Sequence, residues 1–238
     1  MIEVKNINKV ILDELGMKQV LFQEISFDIP VGKITSIVAP EYSNESILLK
    51  IISGLENSTS GSIVNDSAGR IIYIPSLPSS FPWLNVEQNL MIGKKTNSNI
   101  STNSFINMVG LEGYEKYRPH NSSIGFRFRI SLARALSQNP SLIILDNPFK
   151  LMKPEIRKEI YSIVKDINKS LKTSFLISTM DITEALSLAD TLILMKKEPV
   201  ELITLQIPNM PLSENWIINN PEKYLKIQNQ IELSFKEK

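Results

Sequence analysis

Cysteine is absent from this chain of 238 residues, which excludes disulfides and thiolate metal sites. Histidine is nearly absent: His120 stands alone, so no multi-histidine metal centre can be built. No apolar run approaches the ~20 residues that a membrane-spanning helix needs. An excess of charge is missing as well. Twenty-six basic residues against 25 acidic ones leave a formal net charge of +1, and nothing in that balance argues for nucleic acid or a membrane surface as the main partner. Apolar residues, by contrast, make up 42% of the chain, ample for a core and too many for a disordered sequence. The length fits one large α/β domain or two small ones. The alternation from Met1 to Val4 reads as a strand and not as a signal peptide, so a cytosolic protein is expected.

Short strand-like runs occupy residues 2–4, 25–29 and 34–38, the last two separated by the turn pair Gly32-Lys33. Residues 46–55 follow as a helix with Ile47, Leu48, Ile51, Ile52 and Leu55 on one face. A buried strand at 71–74 leads into a Pro/Ser-rich loop over 75–82, and residues 86–117 read as helical and polar. A helix at 130–137 then feeds the all-apolar strand 142–145, a pattern expected when both faces of a parallel sheet are covered. The remainder alternates: helix 155–171, strand 174–178, helix 182–188, strand 192–195 and strand 200–207. This alternation predicts an α/β fold with a helical insertion. Neither an internal repeat nor a linker long enough to separate domains is present.

The strand Leu142-Ile143-Ile144-Leu145 ends in Asp146-Asn147-Pro148-Phe149. Many ATPases end such a strand in two acidic residues, one holding magnesium and one activating water. Here the second is an amide, which cannot take a proton from water at neutral pH.

Several strings in register then point one way. Ser131-Leu132-Ala133-Arg134-Ala135-Leu136, with Pro140 and the run to Phe149, is one of them. The others are Phe81-Pro82-Trp83-Leu84-Asn85-Val86 with Asn89, Asp181-Ile182-Thr183-Glu184-Ala185-Leu186 with Leu188-Ala189-Asp190, and Pro221-Glu222, Tyr224-Leu225 and Ile231 near the end. Over essentially its whole length the chain resembles the ATP-binding subunit of ABC transporters, nearest the nitrate, sulfonate and taurine importer group. The resemblance implies a RecA-like P-loop NTPase core with a small antiparallel β region, a helical subdomain over about 86–137 and a C-terminal tail over about 208–238, all in one domain of 238 residues.

It also implies an ATP and magnesium site, in which polar positions are altered. The phosphate loop of such proteins uses glycines so that backbone N–H groups face one anion, with a lysine behind them. Ala39, Tyr42 and Asn44 stand at the glycine positions, Glu45 at the lysine, and Ser46, followed by Ile47, keeps the magnesium hydroxyl. Tyr42 tolerates a positive φ poorly. Opposite unit charges ~4 Å apart attract by about 4 kcal/mol at an effective dielectric near 20. Reversing that attraction at Glu45 costs up to about 8 kcal/mol, as much as a micromolar binder has in all. Ser76 replaces the glutamine that senses the γ-phosphate. Ser122-Ser123-Ile124-Gly125-Phe126 replaces the signature, keeping Ser123 and Gly125. Lys153 replaces the D-loop aspartate, Met180 the switch histidine, and Val10 or Ile11 the aromatic that stacks on adenine.

The expected protein is therefore a cassette that has lost catalysis, with Asn147 and Met180 marking the catalytic positions and Ser46 with Asp146 a weak magnesium pair. It is expected to dimerise with itself or a homologous subunit and to dock through Pro82, Trp83 and Leu84 beneath a membrane permease, peripheral on the inner face of the cell membrane. A working ATPase with an atypical magnesium site, and a soluble scaffold derived from such a subunit, are the rival expectations. His120 reads as a loop residue, and Arg127 and Arg129 as solvated cations on a helix start.

Overall fold

The computed structural model describes residues 1–66, 69–93, 101–196, 200–205, 207 and 210–236. Three strands, β1 (Ile2–Leu12), β2 (Lys18–Ile29) and β4 (Ser60–Asn65), form an antiparallel sheet in the order β2-β1-β4. The main sheet contains β3 (Ile34–Val38), β5 (Arg70–Ile74), β6 (Pro140–Asp146), β7 (Ser174–Thr179), β8 (Thr191–Met195) and β9 (Leu202–Leu205). Its order is β5-β6-β7-β3-β8-β9, parallel throughout except where β9 runs against β8. Such a sheet collects the loops that leave the C-terminal ends of its strands along one edge, where ligands bind in open α/β folds.

Alternation along β6 explains its all-apolar sequence. Ile143 and Leu145 enter one core, with α4 (Ile124–Leu136) and α5 (Pro154–Leu171), while Leu142 and Ile144 enter another, with β1, β2 and α1 (Glu45–Ser53). Helix α1 buries Leu48, Leu49, Ile51 and Ile52 and ends on Gly54, whose φ of 75° is the left-handed cap that glycine adopts most readily. Helix α5 buries Ile160, Val164 and Ile167 at helical spacing. A third core joins α6 (Ile182–Leu188) and β8 to the C-terminal helices α7 (Glu214–Asn219) and α8 (Pro221–Lys236), with Leu212 and Ile231 fully buried.

Several element readings change. The first two strands are much longer than the apolar runs that marked them, because their outer faces are polar or exposed. Strand β4, rich in serine, carries too little apolar signal to be read. The stretch 86–117 is not one helical body: α2 (Val86–Met91) and α3 (Thr102–Met108) are short helices, turns follow α3, and 94–100 lie outside the described residues. Helix α4 starts at Ile124, six residues before the apolar stretch that predicted it, since Ser123 caps it by accepting from the Phe126 N–H. Of the expected strand 200–207, Leu202–Leu205 are strand and residue 206 lies outside the described residues, as do 208, 209, 237 and 238 of the expected tail.

Candidate functional site

The loop between β3 and α1, where the resemblance places a phosphate loop, turns through two left-handed residues that are not glycine. Tyr42 has φ 64° and Asn44 φ 61°, both left-handed, a region that costs most residues strain and that asparagine enters more easily than tyrosine. Tyr42 accommodates it by turning its ring outward, 78% exposed. The side chain thus leaves the concavity instead of filling it, contrary to the steric expectation. Ala39 is buried, its N–H donating to the Thr179 carbonyl at 3.1 Å. Glu45 opens α1 and accepts a hydrogen bond from the Ser43 hydroxyl at 2.9 Å. A carboxylate in the first turn suits the positive end of the helix dipole. It puts negative charge where a phosphate would need positive. The nearby cation Lys150 pairs with Glu41 at 3.8 Å. Ile47 faces inward against the core shared with α1.

Asp146, at the end of β6, is buried and its carboxylate is occupied by three hydroxyls. Ser46 donates to Oδ1 at 3.0 Å, Ser178 to Oδ1 at 3.2 Å and Tyr73 to Oδ2 at 2.5 Å. Burial, then the bond to Asp146, pushes the Tyr73 phenol well above its ordinary pKa, so it remains a donor. The cluster ties α1, β5, β6 and β7 together where the expected magnesium pair lies. Tyr73 and Ser178 escaped the sequence reading. The one available signal was a polar-tipped aromatic inside the otherwise apolar run Ile71-Ile72-Tyr73-Ile74, since buried tyrosine hydroxyls usually find a partner.

Asn147 follows in a left-handed conformation (φ 47°), its N–H donating to Ser178 Oγ at 3.0 Å. With Met180 it lines a cleft of about 480 Å³ that reaches Thr183 and, on α8, Gln228. Neither Asn147 nor Met180 can act as a base. The buried carboxylate near the cleft is Glu184, which accepts from Tyr161 at 2.7 Å, Thr179 at 2.5 Å and Arg157 at 3.3 Å. Burial raises its pKa, and the Thr179 and Tyr161 bonds work against that rise. With its oxygens spent on these partners it acts as a structural hub. Lys153 precedes α5 as its N-cap and makes no side-chain cap bond, whereas an aspartate there would cap the helix. Ser76 is half-buried after β5, and Val10 and Ile11 are half-buried on β1.

The signature position packs more than it binds. Gly125 is retained against a close neighbour: a Cβ there would stand 2.5 Å from Ile156 Cγ2 of α5. Ser123 spends its hydroxyl on the cap. Phe126 joins Tyr114 and Tyr117 in a ring cluster with centroids 5.4–6.0 Å apart, and His120 is an exposed loop residue. The arginines of α4 are not the solvated cations expected. Arg127 donates to the Pro78 carbonyl at 2.9 Å and to Ser80 Oγ at 3.2 Å, and Arg129 donates to the Val109 carbonyl at 2.7 Å and to Glu159 at 2.6 Å. Arg134 donates to the Ser79 carbonyl at 2.8 Å and lies 5.0 Å from the centre of the Phe81 ring. Unsatisfied loop carbonyls draw in the long side chains that the sequence alone leaves in solvent.

Arg127 and Arg134 hold the segment that leads to Trp83. Asn89, fully buried on α2, accepts from the Phe81 N–H at 2.7 Å and donates to the carbonyls of Phe81, Leu84 and Asn85 at 3.0–3.1 Å. Trp83 leans on Phe81, centroids 5.5 Å apart, and remains 67% exposed, with Pro82 exposed beside it and Leu84 half-buried.

The fold is that of an ATP-binding cassette. The family model for the ABC transporter matches residues 22–150, and the chain belongs to that family. It is 30% identical over 212 residues to the aliphatic sulfonates import ATP-binding protein SsuB of Bacillus thuringiensis, covering 84% of this chain and 83% of that one. Among solved structures it superposes on the dimeric MJ0796, described as a bacterial ABC transporter cassette, with TM-score 0.73 and 22% identity over 87% of this chain and all of that one. The cbiO1 protein of Clostridium perfringens, described as part of the ABC transporter complex cbiONQ, gives TM-score 0.75 at 21% identity over 98% of each chain. The expected RecA-like α/β fold and the likeness to the sulfonate importer group are thereby borne out.

The residues present do not fit the nucleotide that the family implies. Ser46 and Asp146 keep the oxygen donors suited to magnesium. A polyphosphate, however, would meet the Glu45 carboxylate in place of a lysine.

Proposed function

We propose that this chain is the cassette subunit of an ABC importer in which nucleotide binding is weak or lost and hydrolysis is absent. Its role is architectural. It pairs with a second cassette, its own copy or a homologue, and docks under a membrane permease through Pro82, Trp83 and Leu84. The carrying observation is the phosphate loop: a left-handed backbone at Tyr42 and Asn44 around a glutamate instead of a lysine. Asn147 and Met180 agree with it, since neither can activate water. Among the described residues no helix is long and apolar enough to cross a membrane. Names of the relatives support import and, among solved structures, dimers.

A second reading has one observation behind it. Ser46 Oγ lies 3.0 Å from Asp146, the arrangement that would let both meet one magnesium ion in an atypical working ATPase. Steady-state ATPase assays on the chain reconstituted with its co-purifying permease separate the two. The architectural reading expects Asp146→Ala to leave turnover unchanged and Trp83→Ala to release the chain from the permease. Turnover that Asp146→Ala abolishes supports the second reading instead.

A further inference from the structure

Strand β5 contains a single aromatic residue, Tyr73, which pairs with Ile144 in the parallel ladder to β6. Asp146 lies on the same face of β6 as Ile144, two residues and about 6.6 Å further along the strand. A tyrosine side chain spans that gap. Its ring packs against the core that holds Leu142, Ile144 and α1, and its hydroxyl donates to Asp146 Oδ2 at 2.5 Å, the short end for a bond to a charged acceptor. The other two donors both go to Oδ1, so Tyr73 covers the oxygen that Ser46 and Ser178 leave free. Ser178 is fully buried beside Asp146 in the β6–β7 ladder. Ser46 Oγ lies 3.0 Å from Oδ1. That spacing also suits two adjacent corners of a magnesium octahedron with metal–oxygen bonds of about 2.1 Å, so the serine contact is compatible with a cation. Charge and donor type favour one as well: a carboxylate at Asp146, a hydroxyl at Ser46, and Glu45 next to Ser46 in the chain.

We propose that Tyr73 takes the cation's place: its phenol O–H caps Asp146 Oδ2 and excludes a divalent cation from the Ser46–Asp146 pair. Tyr73 is thus the specificity-determining residue of this cluster, and the mismatch between the magnesium pair that the family implies and the cluster that is built has a named cause. A hydroxyl donor and a divalent cation each satisfy a buried carboxylate, so one replaces the other without leaving the charge unmet. To the reading of a lost nucleotide site, on which this rests, Tyr73 adds a barrier independent of Glu45. Glu45 repels the phosphates, whereas Tyr73 denies the metal that accompanies them.

Electron paramagnetic resonance of Mn²⁺ mixed with the full chain at neutral pH, without nucleotide, tests this. The wild-type chain is expected to bind no stoichiometric Mn²⁺ below millimolar concentrations. Tyr73→Phe, which deletes the hydroxyl and keeps the ring, is expected to bind one Mn²⁺ at least tenfold more tightly. Mg²⁺ displaces that ion, and Asp146→Asn added to Tyr73→Phe abolishes the site. Circular dichroism melts check that each variant folds, and Tyr73→Leu stands in where Tyr73→Phe does not. Equal Mn²⁺ affinity in the wild type and Tyr73→Phe, whether both bind or neither does, overturns the proposal, as does Mn²⁺ binding that survives Asp146→Asn. Tight Mn²⁺ binding by the wild-type chain with no uptake of ATP overturns this inference alone and leaves the lost nucleotide site standing. Micromolar binding of magnesium with ATP by the wild-type chain overturns both.

Discussion

Two regions of this molecule use their polar side chains differently. At the strand ends the polar side chains turn on one another: Tyr42 and Asn44 hold left-handed turns around Glu45, and the Asp146 carboxylate is spent on Ser46, Tyr73 and Ser178. Beside α4 the side chains support a loop and leave its tip exposed. Arg127, Arg134 and Asn89 donate to the carbonyls of Pro78, Ser79, Phe81, Leu84 and Asn85 and present an exposed Trp83. The difference teaches that loop shape is a property of the packed strands behind it, since left-handed turns stand at Tyr42 and Asn44 without a glycine at either position.

The largest effect that would sharpen this contrast lies in the packing. Phe149 is fully buried between Phe128 and Tyr161, with the Tyr161 ring 4.8 Å away edge-on. Phe149→Ala should cost about 3–5 kcal/mol in urea unfolding. Asn89→Ala comes next. It strips the Phe81 N–H of its acceptor and the Leu84 carbonyl of the amide donor, while the Phe81 and Asn85 carbonyls keep backbone partners, so a loss of about 1–3 kcal/mol is expected, together with weaker retention on the permease. On the nucleotide side, Glu45→Lys should raise ATP affinity at least tenfold, about 1.4 kcal/mol, in equilibrium dialysis and still give no turnover, because Asn147 remains. An unchanged affinity would show that the charge at position 45 is not what excludes phosphate.

The smallest expected effect is on pH. The Tyr73 phenol has its folded pKa raised above the ordinary 10.0. Its contribution to stability is therefore complete below that value and lost as pH climbs through the raised one. Melting temperature should fall more steeply above pH 10 in the wild-type chain than in Tyr73→Phe. Equal slopes would mean that Tyr73 does not hold its proton for Asp146.

Much of this was legible in the sequence. The apolar run at 142–145, the helical periodicity of 155–171 and the strings around Trp83 and Leu132 located the parallel sheet, α5 and the family. Local pattern could not reveal what depends on distant partners. Ser178 meets Asp146 from 32 positions away, and Arg134 reaches Ser79 from 55. Strand β4 was invisible because its serines pair through backbone and not through an apolar face. The rotation of Tyr42 into solvent was likewise beyond sequence reasoning, which counted only the steric penalty.

Calorimetric titration of the purified full chain with ATP and magnesium tests the central claim most directly. No saturable heat is expected at micromolar nucleotide, alone or with the co-purifying permease. Micromolar binding by the isolated chain would contradict the account, because the Glu45 loop would then be a working phosphate site.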